Sequence, residues 1–294
     1  MKFEGIMPAL ITPLNEDGKT VNEASARGLI EFLLGQGADG FYVLGSTGEG
    51  LVLDEKQRMI MLEIAVDQVQ GRKPIICHTA AMNFSEAVRL SKHAQQAGAA
   101  AISAIPPIFF HYTTEDICSY YKTLAESTDL PFIMYNHPSA NGGMSAETVA
   151  KLFEVDNITG VKWTVNNYYE MMRLNDLTGG EMNIINGPDE MLIAGLAAGA
   201  DAGIGTTYNV MLPQFLEIYN CFKKGDMEKA RVLQLQVNRV IECMCRHELI
   251  PATKHMCTML GFSAGDGTYP LRSLQKEGAE DLERDLKACG WPFS

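Results

Sequence analysis

A short apolar, β-rich run followed by a longer segment of helical periodicity recurs eight times in succession, and this alternation constrains the fold more than any other feature of the chain. The spacing predicts strands at Gly5–Thr12, Gly40–Leu44, Pro74–His78, Ala101–Ala104, Pro131–Tyr135, Ile158–Lys162, Met182–Asn186 and Ala202–Gly205. Helices fall between and after them, near 22–36, 54–69, 84–97, 114–127, 145–154, 167–177, 188–198 and 212–222. Asp54 before Glu55, Ser85 before Glu86, and Thr114 before Glu115 and Asp116 read as helix starts with carboxylates at the positive end. Gly37, Gly98 and Gly199 stand where helices should stop. Eight alternations in about 220 residues fit a closed (β/α)8 TIM barrel, an α/β fold, better than a doubly wound open sheet, which periodicity alone leaves as the alternative. Past residue 224 the strand pattern ends, and 226–246, 250–260 and 278–289 read as helices. The expected organisation is a barrel over residues 1–224 and a C-terminal helical extension of the same domain over 225–294.

With 46% apolar residues, 24 basic against 36 acidic side chains and a net charge of −12, the 294-residue chain has the make-up of a globular protein. That balance argues against affinity for nucleic acid or an anionic membrane. The start of the chain lacks the apolar core of a signal peptide, and no run approaches the length of a membrane span. The seven cysteines form no CxxC pair and read as free thiols, so a cytoplasmic location is expected. The six histidines show no HxxxH or HExxH spacing, so no metal site is expected.

In a barrel of this kind chemistry sits where strands end. The second strand runs into Gly45-Ser46-Thr47-Gly48-Glu49-Gly50, the fifth into Tyr135-Asn136-His137-Pro138, the seventh into Asn186-Gly187-Pro188-Asp189-Glu190, and the eighth into Gly205-Thr206-Thr207-Tyr208-Asn209. Lys162 closes the sixth. A lysine attacks a carbonyl only as the neutral amine, and a buried apolar strand end disfavours the ammonium, as a Schiff-base lysine requires. The alternative is a lysine that snorkels into solvent. Tyr135 would lie within a few ångströms of Lys162 if strands 5 and 6 pair, where a phenol can shuttle a proton; otherwise it is a core tyrosine. The hydroxyls and amides of Gly45–Gly50 suit a carboxylate, although glycines in such turns are often only structural. Asp189 and Glu190 either cap the following helix or accept hydrogen bonds from a polyhydroxylated ligand.

These runs, in this order, resemble the pyruvate-dependent class I aldolase superfamily that contains N-acetylneuraminate lyase and dihydrodipicolinate synthase. GSTGE, YNxP and GVKxT carry the likeness, which extends over nearly the whole chain. The resemblance implies a (β/α)8 barrel, a homotetramer built as a dimer of dimers, and no cofactor. It implies that Lys162 forms a Schiff base with pyruvate or another 2-keto acid, that Ser46 and Thr47 hold the keto-acid carboxylate, and that Tyr135 shuttles protons. The run Gly187-Pro188-Asp189-Glu190, the run Gly205-Thr206-Thr207-Tyr208 and Thr164 resemble the sialic acid lyase branch. There Gly187, Asp189, Glu190 and Thr206 would meet the sugar tail, implying reversible cleavage of N-acetylneuraminate to N-acetylmannosamine and pyruvate. Another aldolase or dehydratase of 2-keto-3-deoxy sugar acids, or dihydrodipicolinate synthase, is the alternative. Ala140 stands where the synthases carry an arginine, which argues against a second carboxylate on the substrate. Phe109 replaces the family's usual intersubunit tyrosine, with Tyr112 nearby.

Overall fold

Each barrel strand is buried along almost its whole length, which explains the unbroken apolar runs: a parallel strand with a helix on one face and the barrel interior on the other has no wet side. The computed structural model describes residues 2–139, 142–271 and 273–292. Its strands are β1 (Gly5–Pro8), β2 (Phe41–Val43), β3 (Ile75–His78), β4 (Ala101–Ala104), β5 (Phe132–Asn136), β6 (Ile158–Trp163), β7 (Asn183–Asn186) and β8 (Ala202–Gly205). All pairs are parallel, from β2 through β8 in sequence order, and β1 pairs β8. A bridge from Ala9 to Tyr42 links β1 to β2 and closes the ring. The alternation therefore makes a barrel and not an open sheet.

The helices on the outside are α1 (Glu23–Gln36), α2 (Glu55–Val69), α3 (Phe84–Ala97), α4 (Thr114–Ala125), α5 (Ala146–Leu152), α6 (Tyr168–Leu177), α7 (Leu192–Ala197) and α8 (Tyr208–Lys223). Three more follow: α9 (Met227–Arg246), α10 (Leu249–Met259) and α11 (Lys276–Ala288). Gly37 and Gly98 end α1 and α3 in the left-handed conformation, as their positions predict. Among the described residues no helix is long and apolar enough to cross a membrane.

Several expectations need correction. The first strand stops at Pro8 and not Thr12, because Leu10 donates its amide to Tyr42 of β2 and so leaves the β8 ladder. The caps of α3 and α4 are Asn83 and Thr113, not Ser85 and Thr114; Thr113 and Asp116 form a reciprocal capping box. Asp54 precedes α2 but makes no side-chain cap bond. The helix expected over 188–198 breaks into a 3-10 turn, Asp189–Met191, followed by α7. The break lets the Asp189 carboxylate turn back to the barrel, where Thr207 holds it. The eighth helix starts early, at Tyr208, and kinks at Met211, two residues before Pro213, whose missing N–H cannot extend the ladder.

Candidate active site

Strands β5 and β6 pair with Tyr135 directly beside Lys162. The Lys162 Nζ lies 4.3 Å from the Tyr135 ring centroid and 4.7 Å from that of Tyr42, on β2. Both anchor residues are buried, at 6% exposure for Lys162 and 4% for Tyr135. Two aromatic faces thus flank the amine, and among the described residues no carboxylate lies within ion-pair reach of it. Tyr42 donates to Ser103 Oγ at 3.0 Å, and burial pushes its own hydroxyl well above the ordinary range. Tyr42 is a neighbour of the lysine that sequence reading missed, because an aromatic in an apolar strand carries no signal beyond burial.

A cleft of about 690 Å³ opens above this pair at the C-terminal ends of the strands. Ser46, Thr47, Tyr135, Lys162, Thr164, Gly187, Asp189, Glu190 and Thr206 all line it, so the residues singled out on five separate loops converge on one space. Two of them meet where separate subsites were expected: Thr47 Oγ1 and Thr206 Oγ1 are 2.6 Å apart, so the loop after β2 and the loop after β8 share a hydrogen bond. The loop after β2 is held by contacts that leave no room for side chains. A Cβ on Gly50 would stand 1.8 Å from the Leu44 carbonyl oxygen, whose own residue has φ of 65°. Gly48 gives its carbonyl to Thr12 Oγ1 at 2.7 Å. Ser46 is left exposed at the tip.

Gly187 is glycine for a similar reason, since a Cβ there would lie 2.0 Å from Thr164 Oγ1. That hydroxyl is buried and has no hydrogen-bond partner, although Thr164 lines the cleft. A buried unsatisfied hydroxyl costs stability on the order of 1–3 kcal/mol and is recovered when a ligand supplies the missing bond. Asp189 and Glu190 differ in kind. Asp189 is buried, and its Oδ2 accepts from both the amide and the hydroxyl of Thr207, at 2.7 and 2.6 Å. Burial pushes its carboxyl up to about 6, while the Thr207 bonds pull the other way. Glu190 is exposed in the cleft, its backbone carbonyl tied to Asn238 at 3.0 Å.

The second wall comes from the C-terminal helices, which sequence reading left without a role. Asn238, Ile241, Glu242 and Cys245 of α9 line the cleft, and their spacing puts them on one helix face. Glu248, at the start of α10 with φ of 62°, lines it too. Cys245 faces Glu190 and Asp189, and burial followed by those charges pushes its thiol up. Lys162 is the single lysine or arginine among the described residues of the cleft. Ala140 lies outside the described residues. Phe109 and Phe110 do not line the cleft; they stand 84% and 65% exposed with rings 5.0 Å apart, and Tyr112 lies 6.3 Å beyond Phe110. Among the described residues no group of three or more histidine, cysteine or carboxylate side chains is placed to hold a metal ion.

A family model described as the dihydrodipicolinate synthetase family matches residues 2–289. The chain belongs to that family. An N-acetylneuraminate lyase from Rhizobium meliloti is 34% identical to it over 276 residues, covering 94% of this chain and 92% of that protein. Among solved structures, a sialic acid aldolase from Ruminococcus gnavus matches with a TM-score of 0.94 at 28% identity, over 98% of this chain and 97% of that one. A dihydrodipicolinate synthase from Bacillus anthracis matches with a TM-score of 0.93 at 25% identity, over 98% and 99%. The barrel is therefore common to dihydrodipicolinate synthetase family members named for different reactions, and the lining of the cleft has to separate them.

Proposed function

We propose that the chain is a class I, Schiff-base-forming carbon–carbon lyase that cleaves N-acetylneuraminate reversibly to N-acetylmannosamine and pyruvate. The observation that carries this reading is the cleft itself. A buried lysine with no ionic partner stands beside a tyrosine at one end, and hydroxyls and carboxylates without a second lysine or arginine line the other. The distal end suits a neutral polyhydroxylated tail. An aldehyde substrate with its own carboxylate would need a cation there.

In this reading Lys162 Nζ attacks the C2 carbonyl of the keto acid, and the carbinolamine loses water to give an iminium. Ser46 and Thr47 hold the keto-acid carboxylate with hydroxyl and backbone donors. The Tyr135 phenol gives its proton to the departing water and then takes one from the C4 hydroxyl. As that proton leaves, the C3–C4 bond breaks, its electron pair passes to the iminium as an enamine, and C4 becomes the aldehyde carbon. Tyr135 then returns the proton to C3, and water adds to the iminium to free pyruvate and the Lys162 amine. Thr164 supplies the unpartnered hydroxyl beside the reacting carbons. Gly187 through its carbonyl, Glu190, Asp189 and Thr206 face the tail; Asp189 also fixes Thr207, and Thr206 braces Thr47.

The same reading makes the protein one domain, barrel and extension together, supported by a cleft that both parts wall. A homotetramer fits the exposed Phe109–Phe110 pair, and a cytoplasmic location fits seven cysteines that are all free. The deciding experiment is pyruvate release from N-acetylneuraminate. Wild type should release it, and Lys162→Ala should lose activity on the order of 10⁴-fold or more while keeping its fold, the scale set by removal of a covalent nucleophile. A folded wild type that releases none overturns the substrate, and equal rates in the two proteins overturn the mechanism.

A further inference from the structure

His137 sits at the end of β5, two residues beyond Tyr135, and lines the same cleft. Its ring stands edge-on to the Tyr135 ring with centroids 5.3 Å apart, so the imidazole and the phenol ring border the same part of the cleft. The ring is oriented from behind. The backbone N–H of Ser139 donates to Nδ1 at 3.1 Å, and Ser139 Oγ lies 2.7 Å from the same nitrogen. A nitrogen that accepts from an amide carries no proton of its own, so the neutral ring carries its proton on Nε2, at the opposite edge. Among the described residues nothing is hydrogen-bonded to Nε2. Partial burial, and after it the charge of Lys162, holds this histidine below its ordinary range, which keeps it neutral at neutral pH.

We propose that His137 is a catalytic residue that donates an Nε2–H hydrogen bond to the oxygen on C4, the substrate oxygen that changes between alkoxide and aldehyde as the C3–C4 bond breaks or forms. The inference rests on the aldol reading of the preceding section and adds a residue and a role to it. In the synthetic direction the enamine carbon attacks the aldehyde carbon, the C3–C4 bond forms, and the carbonyl electron pair moves onto the oxygen. Tyr135 then delivers its proton to that oxygen. His137 transfers no proton; it places a fixed dipole where negative charge develops, and a dipole held in advance by Ser139 needs no reorganisation when the charge appears. A cationic imidazolium would protonate the oxygen and compete with Tyr135, whereas a neutral one only polarises it, as in other enzymes that keep a histidine neutral for this purpose.

The test uses the full-length enzyme, with His137→Phe to keep a ring without a donor and His137→Gln to return an N–H near the same place. Condensation of pyruvate is followed with N-acetylmannosamine, D-arabinose and D-glyceraldehyde, and imine formation is read separately by borohydride trapping of pyruvate alone. The expected result is a kcat for His137→Phe lower by about 10²–10³-fold, the scale of one lost oxyanion donor, with trapping unchanged and part of the rate recovered in His137→Gln. A His137→Phe enzyme that condenses at the wild-type rate, or one that also loses trapping, overturns the proposal. Wild type that rejects N-acetylmannosamine but accepts another aldehyde counts against the sugar reading alone, and the His137 comparison is then made on the accepted aldehyde. Wild type that traps pyruvate but condenses it with none of the three overturns both.

Discussion

Single residues in the cleft owe their properties to what surrounds them more than to their type. His78, on β3, shows this at the barrel centre. It is buried between Arg58, Tyr42 and Tyr135, and its Nε2 accepts from the Ile105 amide at 3.1 Å. Burial first, then the charges of Arg58 and Lys162, push it down to about 3. A base whose folded value lies below its unfolded value near 6.5 contributes its full stability above that pH. The contribution is lost as pH falls from about 6.5 toward 3, by up to about 1.4 kcal/mol per pH unit. His78→Gln, which can still accept from Ile105, should therefore lose less stability than wild type between pH 7 and pH 5. Urea unfolding at the two pH values measures this, and equal losses would mean that His78 binds its proton equally well in the folded and the unfolded chain. Two neighbouring carboxylates diverge by the same logic, since Asp189 is buried and committed to Thr207 while Glu190 stays in the open cleft.

Elements deliver these residues, and the sequence announced some deliveries and hid others. The Tyr135–Lys162 pair was legible because consecutive strands of a parallel barrel are neighbours, so two strand ends in the chain become two adjacent positions in space. Gly37 and Gly98 were legible because a helix stop needs only local backbone geometry. The break at Asp189 was not, because Thr207, on another loop, causes it. The contact of Thr47 with Thr206 and the wall built by α9 were hidden for the same reason. The tie between the loop after β2 and α10 is another of these long-range links. Lys254 Nζ meets Glu49 Oε1 at 2.5 Å with both side chains almost fully buried. Lys254 also donates to the Asp266 carbonyl, and Glu49 accepts from the Thr268 amide. Burial lowers the Lys254 ammonium from its ordinary value, while the Glu49 charge opposes that shift. Removing one partner strands a buried charge, so Lys254→Met should cost about 3–5 kcal/mol. The double variant Glu49→Gln with Lys254→Met should regain most of that loss in urea unfolding. Equal stability of Lys254→Met and the double variant would show that Glu49 is not left as a stranded charge when Lys254 is removed.

The described residues form a barrel whose cleft end is finished by helices outside the barrel. β5 and β6 supply the tyrosine and the lysine respectively, the loops after β2, β7 and β8 supply hydroxyls and carboxylates, and α9 and α10 wall the remaining side. The family barrel serves more than one reaction, so the account stands or falls on a single covalent bond between this chain and a keto acid. The native protein would be incubated with pyruvate, reduced with borohydride, digested and mapped by mass spectrometry. The account predicts one reduced pyruvate adduct, on the peptide that contains Lys162, absent from Lys162→Ala. An adduct on another lysine, or none on folded wild type, would contradict it.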